Sequence, residues 1–187
     1  MVYIYSTTSP FVEELLQQGL IDKAVKNLPS TYEALENIIA PFYNDGAIVI
    51  VDDGLSQMEN YLPQVFEEFT SKRNTSIIFV SQSIFLDSPN FRRISDNSHY
   101  IICLKNKRNL AKIRSLALQA KPCNPKFVVN SYIDATRPKP LSTPYPDNYS
   151  YGYFVFDFNL QSPEVIAYRT NIFPNELELI TVYQESE

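Results

Sequence analysis

Apolar and polar positions alternate over Val2 to Tyr5 as in a short strand. Ser9-Pro10 then opens a stretch through Glu13, Glu14, Leu15 and Leu16 that predicts a helix stopped by Gly19. After Asn27-Leu28-Pro29, Ser30 can cap a second helix, in which Tyr32, Leu35, Ile38 and Ile39 recur at helical spacing until Pro41. Ala47-Ile48-Val49-Ile50-Val51 reads differently. It is an unbroken apolar run, mostly β-branched, which predicts a strand of a parallel sheet covered on both faces, and it ends abruptly in Asp52-Asp53. Residues 60 to 70 place Tyr61, Val65, Phe66 and Phe69 on one helical face, and Ser76-Ile77-Ile78-Phe79-Val80 predicts a second buried strand ending in Ser81-Gln82.

A third strand is expected over Tyr100-Ile101-Ile102-Cys103-Leu104, followed by a helix with Leu110, Ile113, Leu116 and Ala117 inward. Strands alternating with helices predict a doubly wound α/β fold, a mostly parallel sheet with helices on both faces. From residue 122 the pattern changes to a helix around Phe127 to Thr136, then Arg137-Pro138-Lys139-Pro140 and Pro144-Tyr145-Pro146-Asp147-Asn148. This proline-bearing segment, at about 137–150, reads as a loop or hairpin tip inserted in a domain spanning 1–187. Two further strands are expected over Tyr151 to Phe158 and Val165 to Thr170, with a frayed acidic end from Gln184 to Glu187.

Composition narrows the function. The 187 residues, 44% hydrophobic, suffice for one domain with a sizeable core. Sixteen basic against 21 acidic residues, a net charge of -5, exclude a generally cationic DNA-coating protein and leave only local basic patches for that work. Cys103 and Cys123 cannot build a disulfide framework, and with one histidine they make no zinc site, so a reducing compartment is expected. The chain shows neither an export signal nor an apolar run of the roughly 18 to 20 residues a membrane span needs. An intracellular location, cytoplasm or nucleus, without membrane association is therefore expected.

An acid pair at the end of a buried strand suits nucleotide-phosphate chemistry, because a rigid strand fixes a carboxylate at the crevice where open α/β sheets bind ligands. In that role Asp52 holds Mg²⁺ through water, and Asp53 orients or deprotonates the attacking water. Gln82, at the end of the next strand, lies within reach of the same water or of a γ-phosphate. Arg73, just ahead of that strand, is a candidate arginine finger toward a neighbouring subunit in a ring. Lys105, Lys107 and Arg108, with Lys112 and Arg114, form the densest basic cluster and a candidate grip on nucleic-acid phosphates. No aromatic residue is interleaved there for base stacking, which favours a solvated helix face as the reading of the cluster.

Taken together, Ile48 to Asp53, Arg73 to Gln82, Arg93 to Tyr100 and Lys105 to Asn109 resemble the genome-packaging ATPases of Polinton/Maverick elements, adintoviruses and related viruses, in the FtsK/HerA branch of P-loop ATPases. The similarity continues collinearly through Tyr151-Gly152-Tyr153 to Arg169-Thr170-Asn171-Ile172-Phe173-Pro174. It implies that Asp52 and Asp53 are the Walker B pair, Gln82 the polar residue of the sensor strand and Arg73 a candidate finger. It further implies ATP and Mg²⁺ as cofactors, and double-stranded DNA, capsid or portal components and a homo-oligomeric ring as partners.

The sequence departs from that family at one decisive point. A phosphate-binding loop needs glycines that let backbone N–H groups approach the phosphates, a lysine and a Ser or Thr. Gly19, Gly46, Gly54 and Gly152 make no such pattern here. In the family the loop, with its strand and helix, precedes the segment matching Val2 to Tyr5. Its strand is expected between the one ending at Gln82 and the one at Tyr100 to Leu104. Without them two strand edges and an apolar face stay uncovered, and the chain alone is expected to lack ATPase activity. A non-catalytic remnant serving as an interaction protein, or a fragment of a cellular FtsK/HerA-type DNA translocase, are the competing readings.

Overall fold

The computed structural model describes residues 1–6, 10–72, 74–82, 89–106, 110–137, 139–140, 149–150, 152–172 and 180–185. The chain divides into two compact units, Met1–Asn97 and Ser98–Glu187. Together they make an α/β protein with a four-stranded parallel sheet and a separate antiparallel sheet.

The first unit runs β1 (Val2–Tyr5), α1 (Pro10–Gln17), β2 (Lys23–Lys26), α2 (Tyr32–Ile39), β3 (Ala47–Asp52), α3 (Leu55–Met58), α4 (Leu62–Lys72), β4 (Thr75–Val80) and α5 (Pro89–Asp96). Its strands pair in the order β2-β1-β3-β4, all parallel. Alternation along the pleat sends Val2, Ile4, Val49 and Val51 to one face, where they pack with Leu35 and Ile39 of α2 and Leu62, Val65 and Phe66 of α4. Tyr3 points to the other face, packed with Val12 of α1 and Ile21. Thr31, one residue after the predicted cap, accepts the Ala34 N–H and starts α2. Strand β2 was not expected from the sequence, because Lys23-Ala24-Val25-Lys26 carries charge at both ends and only two apolar residues between.

The expectation that β3 and β4 are covered on both faces needs correction. Ile48, Ile78 and Val80 are 46, 50 and 45% exposed. Helix α1 packs over Tyr3, with Ile50 at the border of that cluster, and leaves the β3–β4 end of this face open. An apolar run records that both faces are hydrophobic, and says nothing about whether this chain supplies the cover.

The second unit runs β5 (Tyr100–Leu104), α6 (Leu110–Ala120), α7 (Pro125–Ala135), β6 (Lys139–Pro140), β7 (Tyr149–Ser150), β8 (Tyr153–Asp157), β9 (Tyr168–Thr170) and β10 (Thr181–Val182). The strand at Tyr100–Leu104 is present, but it is not a third parallel strand of the first sheet. It pairs antiparallel with β8 in the order β10-β9-β8-β5. Hydrophobicity alone carries no strand direction, which is why the sequence could not distinguish the two pairings. The core is aromatic: the Phe154 ring meets Tyr132 and Phe156 edge-on and stacks on Tyr168. The proline-bearing insertion closes as a hairpin base, Lys139 opposite Ser150 and Pro140 opposite Tyr149. The predicted fraying fails at Glu185, which pairs with Lys121 at 2.9 Å.

Candidate functional site

The chain passes from β1 through α1 to β2, then crosses back over β1 to β3 and onward to β4, with α1 on one face and α2 and α4 on the other. The direction of winding therefore reverses between β1 and β3. At such a reversal the connections leave the strand ends toward opposite faces, and the crevice outside the C-terminal ends is where open α/β sheets take ligands. The last residue of β3, at the edge of that crevice, is Asp52.

Asp52 is half-buried, and its Oδ2 accepts a hydrogen bond of 3.0 Å from the Tyr3 hydroxyl. Tyr5 stands directly opposite Asp52 in register and Tyr3 opposite Ile50, so the bond is a diagonal one on a single face. Burial, with the hydrogen bond to Asp52 and its negative charge, pushes the Tyr3 hydroxyl up to about 12, so it stays a proton donor at neutral pH. The sequence had not singled out Tyr3. Its relation to Asp52 appears only once β1 is known to pair with β3.

Asp53 follows with φ of 54°, in the left-handed region that costs a non-glycine residue strain and that aspartate tolerates better than most. Its N–H donates to the Val80 carbonyl at 3.2 Å, which ties the ends of β3 and β4 together. Gly54 then turns into α3 so close to the core that a Cβ would lie 2.7 Å from Leu28 Cδ2, so a larger residue there would require the Leu28 side chain to shift. Ser81 and Gln82 continue from β4 beside Asp53, and both Asp53 and Gln82 are exposed. The structure thus places Asp52 and Asp53 at the end of β3 and Gln82 two residues past the end of the adjoining β4.

The other expected site residues fall elsewhere. Arg73, Lys107 and Arg108 lie outside the described residues. Lys105 is exposed just beyond β5, in the second unit, and Arg114 is exposed on α6. Of the polar residues between 92 and 97, Arg93 pairs with Glu67 at 2.7 Å, and Asn97 donates back to the Arg93 carbonyl at 2.8 Å. Those two are accounted for within the fold.

Among the described residues no group of three His, Cys, Asp or Glu side chains could hold a metal ion by itself. The donor set at Asp52 still suits Mg²⁺, which binds one or two carboxylates and completes its shell with water and substrate phosphate oxygens. No helix among the described residues is long and apolar enough to cross a membrane. No protein-family model, curated protein or solved structure matches the chain.

Proposed function

We propose that the chain is the C-terminal part of an ATP-driven DNA-packaging ATPase, a P-loop fold of the FtsK/HerA branch, and supplies the half of its active site that handles metal and water. The observation that carries this reading is that Asp52 and Asp53 end β3 beside the reversal of winding between β1 and β3, with Gln82 just past the end of the adjoining parallel strand β4. In this role the Asp52 carboxylate holds the hydrated Mg²⁺. Asp53 accepts a hydrogen bond from the attacking water and takes up its proton, and Gln82 steadies that water or a γ-phosphate oxygen. A Mg²⁺ held there would offset negative charge on the nucleotide phosphates. Lys105, with Lys107 and Arg108, is the proposed contact to DNA phosphates, and capsid or portal components are the proposed protein partners.

The outer edge of β4, which no strand among the described residues pairs, supports the same reading. Six residues of parallel strand, without lysine, proline or bulge to guard them, form one margin of the sheet, next to the open face of Ile48, Ile78 and Val80. Strand β5 ends its own sheet in a similar way, with Tyr100, Ile102 and Leu104 at 49, 51 and 62% exposure. A strand and helix bearing the phosphate loop would pair such an edge and cover such a face.

The test starts from the coding sequence upstream of Met1, read for an in-frame or spliced G-x-x-x-x-G-K-[ST]. Joined to that segment, the protein is expected to hydrolyse ATP in a Mg²⁺-dependent way and to lose this activity on Asp52→Asn or Asp53→Asn. Hydrolysis indifferent to both substitutions refutes the assignment. A joined protein that folds cooperatively, ignores nucleotide and still captures a capsid component supports the interaction-protein reading instead.

A further inference from the structure

Tyr3 sits on β1, between β2 and β3, with its ring packed against Val12 and Ile21 and bordered by Leu15 and Ile50. The Tyr5 ring lies 6.2 Å away, tilted at 55°. Apolar surroundings of this kind suit a phenylalanine. A tyrosine must also place its hydroxyl on a partner, or lose the hydrogen bonds that water would have given it. The described partner is Asp52 Oδ2 at 3.0 Å. An aspartate at a strand end otherwise turns about χ1, and a carboxylate that must meet a metal needs one fixed rotamer. A donor anchored in a packed ring supplies that restraint, because the ring itself has no room to follow the carboxylate.

We infer that Tyr3 is the positioning residue of this site: its hydroxyl holds the Asp52 carboxylate by Oδ2 and so reserves Oδ1 for the hydrated metal. The inference rests on the ATPase reading for the identity of the bound ion, but the restraint itself does not. Tyr3 makes no contact with substrate in this scheme and acts only through Asp52. Hydrogen-bond donors behind metal-binding carboxylates commonly change metal affinity by 10- to 100-fold when removed.

The experiment uses the isotope-labelled 187-residue chain and its Tyr3→Phe variant, which keeps the ring. NMR couplings between the α and β protons of Asp52 report its rotamer, and line broadening by Mn²⁺ alone reports metal at the strand end. In the wild type one staggered rotamer is expected, with Mn²⁺ broadening centred on residues 52–54. In Tyr3→Phe the couplings should average, and the Mn²⁺ midpoint should rise about tenfold, while β1 and β3 amide shifts stay in place. Unchanged couplings and an unchanged midpoint in the variant overturn the inference and leave the ATPase reading standing. Averaged couplings in the wild type overturn it with no variant at all. A single wild-type rotamer that is lost in Tyr3→Phe, with no Mn²⁺ broadening in either protein, keeps the restraint and overturns the metal role assigned to Asp52.

Discussion

Two aspartates end two strands of this protein in opposite circumstances. Asp157 closes β8 with its side chain fully buried, Arg169 Nη1 2.8 Å from Oδ2 and the Asn159 N–H 3.0 Å from Oδ1. Its pairing with arginine is ionic more than a well-aimed hydrogen bond, since Oδ2 has no partner of good angle. Asp52 closes β3 half-buried, held by a neutral hydroxyl, and no cation pairs with it among the described residues. A carboxylate already cancelled by arginine is part of the scaffold. One that is fixed in place but still carries its charge is available to an incoming cation. Residue type and position in the strand are the same, so the neighbours alone separate structure from candidate chemistry.

The sharpest way to break this contrast is to remove the arginine. Arg169→Met keeps much of the stem and leaves the Asp157 carboxylate buried without a counter-charge, which is expected to cost about 3 to 5 kcal/mol. Denaturant unfolding followed through the amides of 153–157 measures it. Adding Asp157→Asn should recover a large part of the loss. A cost below about 1 kcal/mol would show that the Asp157 environment is as wet as a surface pair, and the contrast with Asp52 would collapse.

Alkaline pH distinguishes the two units next. Burial pushes the Cys103 thiol from 9.0 up to about 12 and the Tyr61 hydroxyl from 10.0 up to about 12. Each group keeps its proton in the folded chain where the unfolded chain has lost it. The stability each contributes is whole below its unfolded value and disappears as pH climbs to the folded one. The second unit, holding Cys103, should therefore begin to weaken near pH 9, and the Tyr61 contribution in the first unit should fade only from about pH 10. Unfolding free energies at a series of pH values should show the earlier loss, and Cys103→Ala should flatten it. A second unit equally stable at pH 9 and pH 11 would contradict the burial of that thiol. At pH 8 a thiol reagent should titrate exposed Cys123 and spare Cys103.

Removing the charge at Asp52 should matter far less to folding. Asp52→Asn keeps an acceptor for the Tyr3 hydroxyl, so the expected loss is about 1 kcal/mol or less. Thermal melts of the isolated chain measure it, and a loss comparable with that of Arg169→Met would reclassify Asp52 as scaffold.

How much of this was legible in the chain differs between the units for a physical reason. In the first unit the strands at 47–52 and 75–80, the helix at 32–39 and the acid pair followed from local pattern, since apolar runs and caps are written in neighbouring residues. The Tyr3–Asp52 bond joins residues 49 apart and depends on which strands pair, which no local pattern records. In the second unit Tyr100 to Leu104 was visible as a strand, but its antiparallel partner at Tyr153–Asp157 lies some fifty residues on, beyond two helices and the insertion. The buried Asp157–Arg169 pair was missed on the same account. A lone charged residue at the end of an apolar strand gives no sign that its counter-charge arrives from the next strand.

The smallest effect is expected where the parallel sheet is open, and it bears on why Asp52 remains reachable at all. Ile78 is half exposed on the open face and a lysine stem can keep much of its remaining contact, so Ile78→Lys should change stability by only about 0.5 kcal/mol. Val49, opposite Ile77 in the register of the same two strands, is fully buried, and Val49→Ala should cost more than 1 kcal/mol, on the order of large-to-small core changes. The lysine should instead show its effect in solution, because a charge on an open edge strand disfavours edge-to-edge pairing. Light scattering of the isolated chain should report less self-association for Ile78→Lys than for the wild type, at an unchanged melting temperature. If the substitution destabilises the chain as much as Val49→Ala does, the face is covered from within the chain. No strand and helix from elsewhere is then needed to complete the sheet beside Asp52.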